Sequence, residues 1–88
     1  MSSDDSNDAQ TLALNALVWV LHEPDRADRF LALTGLQGDD IRSRINDPAL
    51  LDGVIAFLEA HEPDLVACAK ALEVTPAALL GARGTLGR

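Results

Sequence analysis

T-L-A-L-N-A-L-V-W-V-L, residues 11–21, has two polar side chains, Thr11 and Asn15, and holds the chain's single tryptophan, Trp19. A surface helix carries an apolar stripe, whereas this segment is apolar on nearly every side. Such a helix has to be wrapped by neighbours. Its spacing predicts a helix over residues 9–22, with Leu14, Leu17, Val18 and Leu21 facing the core on one side. Leu12, Ala16, Trp19 and Val20 face it around the other.

The rest of the chain supplies short amphipathic wrapping pieces, punctuated by proline. Pro24, Pro48, Pro63 and Pro76 each suit a helix's first turn, where the missing N–H has no partner to lose and φ is already near helical. Asp47 and Thr75 are good caps; Glu23 and Glu62 are poorer ones that still bring negative charge to a positive helix end. The predicted helices are 24–34 (Ala27, Phe30, Leu31 and Thr34 on one face), 39–45 (Ile41 and Ile45 inward) and 48–61 (Leu50, Leu51, Val54, Phe57 and Leu58 inward). Two more follow at 63–73 (Leu65, Val66, Ala69 and Leu72) and 76–82 (Leu79 and Leu80). Gly35 reads as a left-handed C-cap, and Gly53, inside a helix, as a point of close backbone approach.

Leucine and alanine dominate the apolar residues, and no segment joins β-branched residues to period-two alternation. The fold class is therefore all-α: a compact orthogonal array of five or six short helices around an apolar first helix. Trp19, Phe30 and Phe57 are expected in one core around Leu17 and Leu51. Residues 1–8 read as a disordered acidic tail, 9–83 as a single helical domain and 84–88 as a frayed C-terminus. H-E-P-D at residues 22–25 recurs at 61–64, and Leu36 and Ile41 correspond to Val74 and Leu79. Two similar helical units explain this; so does a coincidence of helix-boundary chemistry.

By the second and fourth helices the chain resembles a known family. R-x-x-R-F-L-A-L-T-G-L at residues 26–36, preceded by Trp19 and Glu23-Pro24, carries the likeness. So do Ile41-Arg42, Asp47-Pro48-x-x-Leu51, Val54-Ile55-x-Phe57-Leu58 and His61-Glu62-x-x-Leu65. The family is the bacterial domain of unknown function numbered thirty-five seventy-two, common in alphaproteobacteria, and the likeness spans about residues 12–80. It implies a small helical protein and no particular activity.

The net charge of −7 opposes binding to phosphates, which requires counterion release by basic side chains. One cysteine cannot form an internal disulfide, and the apolar run is about half of the roughly 20 residues that cross a bilayer. The chain reads as cytoplasmic, with no membrane contact, no cofactor and no metal. His22 and His61, each beside an acid, invite a metal reading, but proline breaks the i,i+4 spacing that a helical ligand pair needs. Cys68 lies past its helix's first turn with no base beside it, which suits a buried small hydrophobe. Ser2, Ser3, Ser6 and Ser43 lack a nucleophile's context, and no glycine-rich phosphate loop is present. The chain reads as no enzyme.

Two classes remain. A helix-turn-helix over residues 30–45 would offer Arg26, Arg29, Arg42 and Arg44 to nucleic acid or another anion. Its recognition helix, however, opens with Asp39-Asp40, so no nucleic acid is expected. The favoured reading is a non-catalytic interaction or regulatory module that contacts a protein partner or itself. Its expected surface joins Leu12, Ala13, Ala16 and Val20 of the first helix to Leu79 and Leu80 of the last, where excess apolar girth is left uncovered.

Overall fold

Capping chemistry sets the helix boundaries. The Asp47 carboxylate accepts the Ala49 N–H at 2.9 Å, and the Thr75 hydroxyl accepts that of Ala78 at 3.1 Å. Glu23 caps better than its residue type suggests, because its longer side chain lets both oxygens reach in, to the N–H of Asp25 at 3.1 Å and of Arg26 at 2.9 Å. The Asp40 carboxylate reaches back to the Gln37 N–H at 2.9 Å. Gly35, at φ 73°, ends its helix in the left-handed conformation, its N–H donating to the Leu31 carbonyl.

The computed structural model describes the backbone of residues 2–86 and the side chains of residues 8–86. Among these, six helices and no strand occur: α1 (Ser2–His22), α2 (Pro24–Thr34), α3 (Gly38–Ser43), α4 (Pro48–Glu59), α5 (Glu62–Ala71) and α6 (Pro76–Leu86). The fold is all-α. Its radius of gyration, 12.1 Å, is that of a single folded body of this length, for which about 12 Å is expected.

Three boundaries differ from the sequence reading. Helix α1 begins at Ser2 within the supposed acidic tail, where neither proline nor glycine interrupts it. Helix α3 stops at Ser43, ahead of Ile45. Helix α6 continues through Leu86 because Ala82 and Leu86 still find apolar partners. The readings for Met1, Gly87 and Arg88 lie outside the described residues.

Helix α1 is not wrapped on all sides. Ala9, Ala13, Ala16, Leu17 and Val20 are buried, a single stripe at helical spacing whose small residues let α4 and α6 approach closely. Val18, expected inside, is 66% exposed on the opposite face. The thoroughly buried helix is α4, through Leu50, Leu51, Val54, Ile55, Phe57 and Leu58. Phe30 and Phe57 meet edge to face, centroids 5.4 Å apart, in a main core that draws on every helix. Trp19 packs only against that core's edge, and Leu51 belongs to a smaller cluster with Ala9, Ala13, Ile55 and Ala82. Nothing lies within 4 Å of a Cβ placed on Gly53, so no close backbone approach explains that glycine. Val66 and Ile45, also expected inside, are 48% and 41% exposed. Val66 falls outside the Leu65–Cys68–Ala69 stripe, and Ile45 follows the end of α3.

The chain is two three-helix units, and their register is 38 residues. Glu23 and His61 are N-caps at that spacing, Gln37 and Thr75 precede α3 and α6, and the positive-φ residues are Gly35 and Glu73. Buried positions follow the same spacing: Ala16 with Val54, Leu17 with Ile55, Val20 with Leu58, Phe30 with Cys68, and Ile41 with Leu79. The repeated H-E-P-D is one residue out of this register, because Pro24 opens α2 whereas Pro63 is the second residue of α5. The units diverge at their third helix. Helix α6 packs against α1, α4 and α5, meeting α5 at a bend of 97°, while α3 buries Ile41 and little else.

Candidate functional site

The chemical candidates resolve into structural roles. Among the described residues no cluster of three or more His, Cys, Asp or Glu could hold a metal ion. His61 Nδ1 lies 3.2 Å from Asp64 Oδ2, which also accepts from Arg29 at 2.8 Å. His22 is exposed, and the neighbouring Glu23 carboxylate is occupied as a helix cap. Cys68 is fully buried, and loss of water pushes its thiol up to about 11, far from a thiolate at neutral pH. Ser43 donates to the Asp40 carbonyl of its own helix.

The four arginines do not form one free basic face. The guanidinium of Arg26 stacks on the Trp19 ring, 3.5 Å from its centroid, and donates to the Trp19 carbonyl. Arg29 pairs with Asp64 and lies 5.5 Å from the Phe57 ring. Arg44 donates to Asp47, and together with the Ala49 N–H it holds that carboxyl below its usual range, the backbone bond weighing most. Only Arg42 has no partner among the described residues. Three of the four arginines of the helix-turn-helix reading thus have partners within the fold.

The expected interaction surface is likewise interior. Ala13, Ala16, Val20 and Leu79 are fully buried, and Leu12 and Leu80 pack against the two cores. The α1 stripe and α6 cover each other over most of that side and leave a groove of about 240 Å³ beside half-buried Leu12. Counting apolar residues around α1 misplaced its open side by about half a turn.

The open apolar surface lies at the other end of α1. Leu21, Leu31, Gly38, Ile41, Arg42 and Ile45 line a groove of about 340 Å³ between the C-terminal end of α1, α2 and α3. Leu21 is 36% exposed, and only Arg42 among the lining side chains is charged. The local sequence builds it simply: Gly38, Ile41 and Arg42 share one face of α3 at i, i+3 and i+4, and Ile45 follows in the turn past its end. The signal that would have found it is the register of 38. In the second unit Arg83 binds Asp52 at 2.9 Å and also Glu59, and all three remain at the surface. Their counterparts in the first unit are Ile45, Leu14 and Leu21. One unit thus closes this place with ions where the other leaves it apolar and open. Two smaller grooves exist, one beside Gly53 and one between Asp8, Leu12 and Ala78, of about 260 and 240 Å³.

Among the described residues no single helix is long and apolar enough to cross a membrane. Helices α5 and α6 together reach the length and composition, but they are sharply bent and bury Leu65, Cys68, Ala69 and Leu79 in the core. Compared with known families, residues 6–88 match the one described as "Protein of unknown function (DUF3572)", a longer span than the motifs alone cover. No curated protein and no solved structure matches the chain.

Proposed function

The chain belongs to the DUF3572 family, and on that premise we propose that it is a bacterial, cytoplasmic interaction or regulatory module that works by contact with a protein partner and performs no catalysis. The observation that carries this reading is the groove of Leu21, Leu31, Ile41 and Ile45, where apolar side chains line one depression; Val18, Leu33 and Val66 are exposed outside it. A concave, mostly apolar surface with one charged group on its wall is the kind of place that binding uses. Against DNA stand the net charge of −7 and the pairing of Arg29 and Arg44 with carboxylates. An alphaproteobacterial origin rests on the R-x-x-R-F-L-A-L-T-G-L block, several positions of which have a structural task here. Arg26 covers Trp19, Arg29 reaches Asp64, Phe30 fills the core and Gly35 turns the chain.

A photo-reactive amino acid placed at Ile45 in living cells tests the proposal, with exposed Ala67 on α5 as the control position. A discrete adduct with another protein from Ile45, absent from Ala67, is the expected result. No adduct from Ile45 in a chain that circular dichroism shows to be helical would overturn it.

A further inference from the structure

We propose that the groove beside α3 receives an amphipathic helix of a partner protein, its apolar stripe on Leu21, Leu31, Ile41 and Ile45 and one carboxylate meeting Arg42. This rests on the interaction reading above and specifies its partner. Gly38, Ile41 and Arg42 of α3, with Ile45 in the turn after it, line one side, and Leu21 and Leu31 line the other. A trough between helical ridges is the shape into which a further helix packs, anchored by side chains at i, i+3, i+4 and i+7.

The second unit shows what such a place needs. There α6, the counterpart of α3, is itself covered by α1, and the polar edge is closed by Arg83 with Asp52 and Glu59. In the first unit no helix covers α3, and of the positions equivalent to that ion cluster Leu21 and Ile45 line the groove uncharged, while Leu14 packs on the smaller core. The missing element is therefore a helix rather than an ion cluster.

Charge chooses the occupant. Arg42 stands on an apolar wall and forms no ion pair, not even with Asp39 one turn before it, and Lys70 on α5 is its only equal in freedom among the described arginines and lysines. A carboxylate on the incoming helix satisfies it. Around it, Asp39 lies one turn before Arg42, and Asp25 and Asp28 precede Leu31 on α2. The outer positions of the partner helix therefore carry lysine or arginine. A second copy of this chain, at −7, lacks that basic character.

The test uses the full chain and a displayed library of helical peptides randomised along one face. Selected peptides should share an apolar stripe with a flanking Asp or Glu. Arg42→Glu should weaken them about tenfold or more, and peptides whose acid is exchanged for lysine should recover on that variant, the behaviour of a close charge pair at an interface. Ile45→Glu, at an exposed position, should abolish binding without unfolding the protein. Peptides that respond to Ile45→Glu but ignore Arg42→Glu would overturn the carboxylate contact and leave the interaction reading in place. A library that returns no peptide sensitive to Ile45→Glu would overturn the helical partner, while the adduct from Ile45 still reports separately on whether the groove binds a protein at all.

Discussion

The two three-helix units are built to one register and end differently. In the second, α6 runs for 11 residues and sits against α1, α4 and α5, with Leu79 fully buried and Arg83 fastened to two acids. In the first, α3 runs for 6 residues, anchors through Ile41 and leaves Ile45 and Leu21 open. Equal buried spacing gives equal helices only where a neighbour exists to bury them. The free side of the first unit is the consequence, and it is where function is to be sought.

The largest contrast concerns the second helix of each unit, where Phe30 and Cys68 hold equivalent buried positions. Phe30 supplies half of the edge-to-face pair with Phe57. Phe30→Ala should cost about 3–5 kcal/mol, a large part of a small domain's stability. Cys68→Ala removes one small group and should cost about 1 kcal/mol. Urea titration of both variants decides it; equal losses would mean that the two positions carry equal weight and the contrast fails.

Next come the anchors of the third helices. Leu79→Ala should cost about 2–5 kcal/mol, because α6 is held by three neighbours that cannot all close the cavity. Ile41→Ala should cost about 1–2 kcal/mol, since a lightly packed helix relaxes or opens on its own. Hydrogen exchange sharpens the point: amides of α3 should exchange faster in Ile41→Ala while those of α4 keep their protection. Equal loss across the whole chain would show that α3 is no more independent than α6.

How far the sequence carried follows from the same contrast. Proline, the Asp47 and Thr75 caps, and the Phe30, Leu51 and Phe57 positions are local or strongly apolar, and they were readable. The site was not. Residues 11–21 look apolar on all sides, yet burial depends on which face α4 and α6 occupy, a fact of tertiary packing that put Val18 outside and Ala13 and Ala16 inside. Ile45 looked like a core residue because the periodicity of α3 was extended past its end. The arginines looked like one basic set because sequence shows the charges but not that Asp64 and Asp47 already hold two of them.

Transplanting the closure of the second unit into the first tests the origin of the groove. Leu21→Glu with Ile45→Arg installs two of its three charges at positions already 36% and 41% exposed. Stability should change by no more than about 1 kcal/mol, as for a surface ion pair. Cross-linking of the proposed partner from a neighbouring position should be lost. A strongly destabilised double variant would mean that these side chains are core after all.

Helix interiors offer a smaller and opposite effect. Gly53 in α4 and Asn15 in α1 are counterparts, and a Cβ on Gly53 meets nothing within 4 Å. Gly53→Ala should therefore stabilise by about 0.5–1 kcal/mol, and Asn15→Ala, at an exposed position, by somewhat less. Thermal melting of the single and double variants measures both. A loss on Gly53→Ala would indicate that the groove beside it closes on something the open structure does not include.

The smallest effect is in acid, and it separates the starts of the two first helices. Helix α4 begins at Asp47, whereas the equivalent position in the first unit is Ala9, inside the continuous α1. The Asp47 carboxyl is held below its ordinary 3.8 first by the Ala49 N–H and then by Arg44. A depressed carboxyl binds protons less readily in the folded state than in the unfolded one. Its stabilisation is thus complete above that ordinary value and is lost as the pH falls through the lower folded one. Asp47→Ala should lower the melting temperature at pH 7, and the gap from the parent protein should shrink as the pH drops below about 4. Because the group lies at the surface, the change should be small and should diminish with added salt in its Arg44 part but not in its backbone part. A gap that stays constant down to about pH 2 would show that Asp47 acts through chain geometry at Pro48 rather than through its charge.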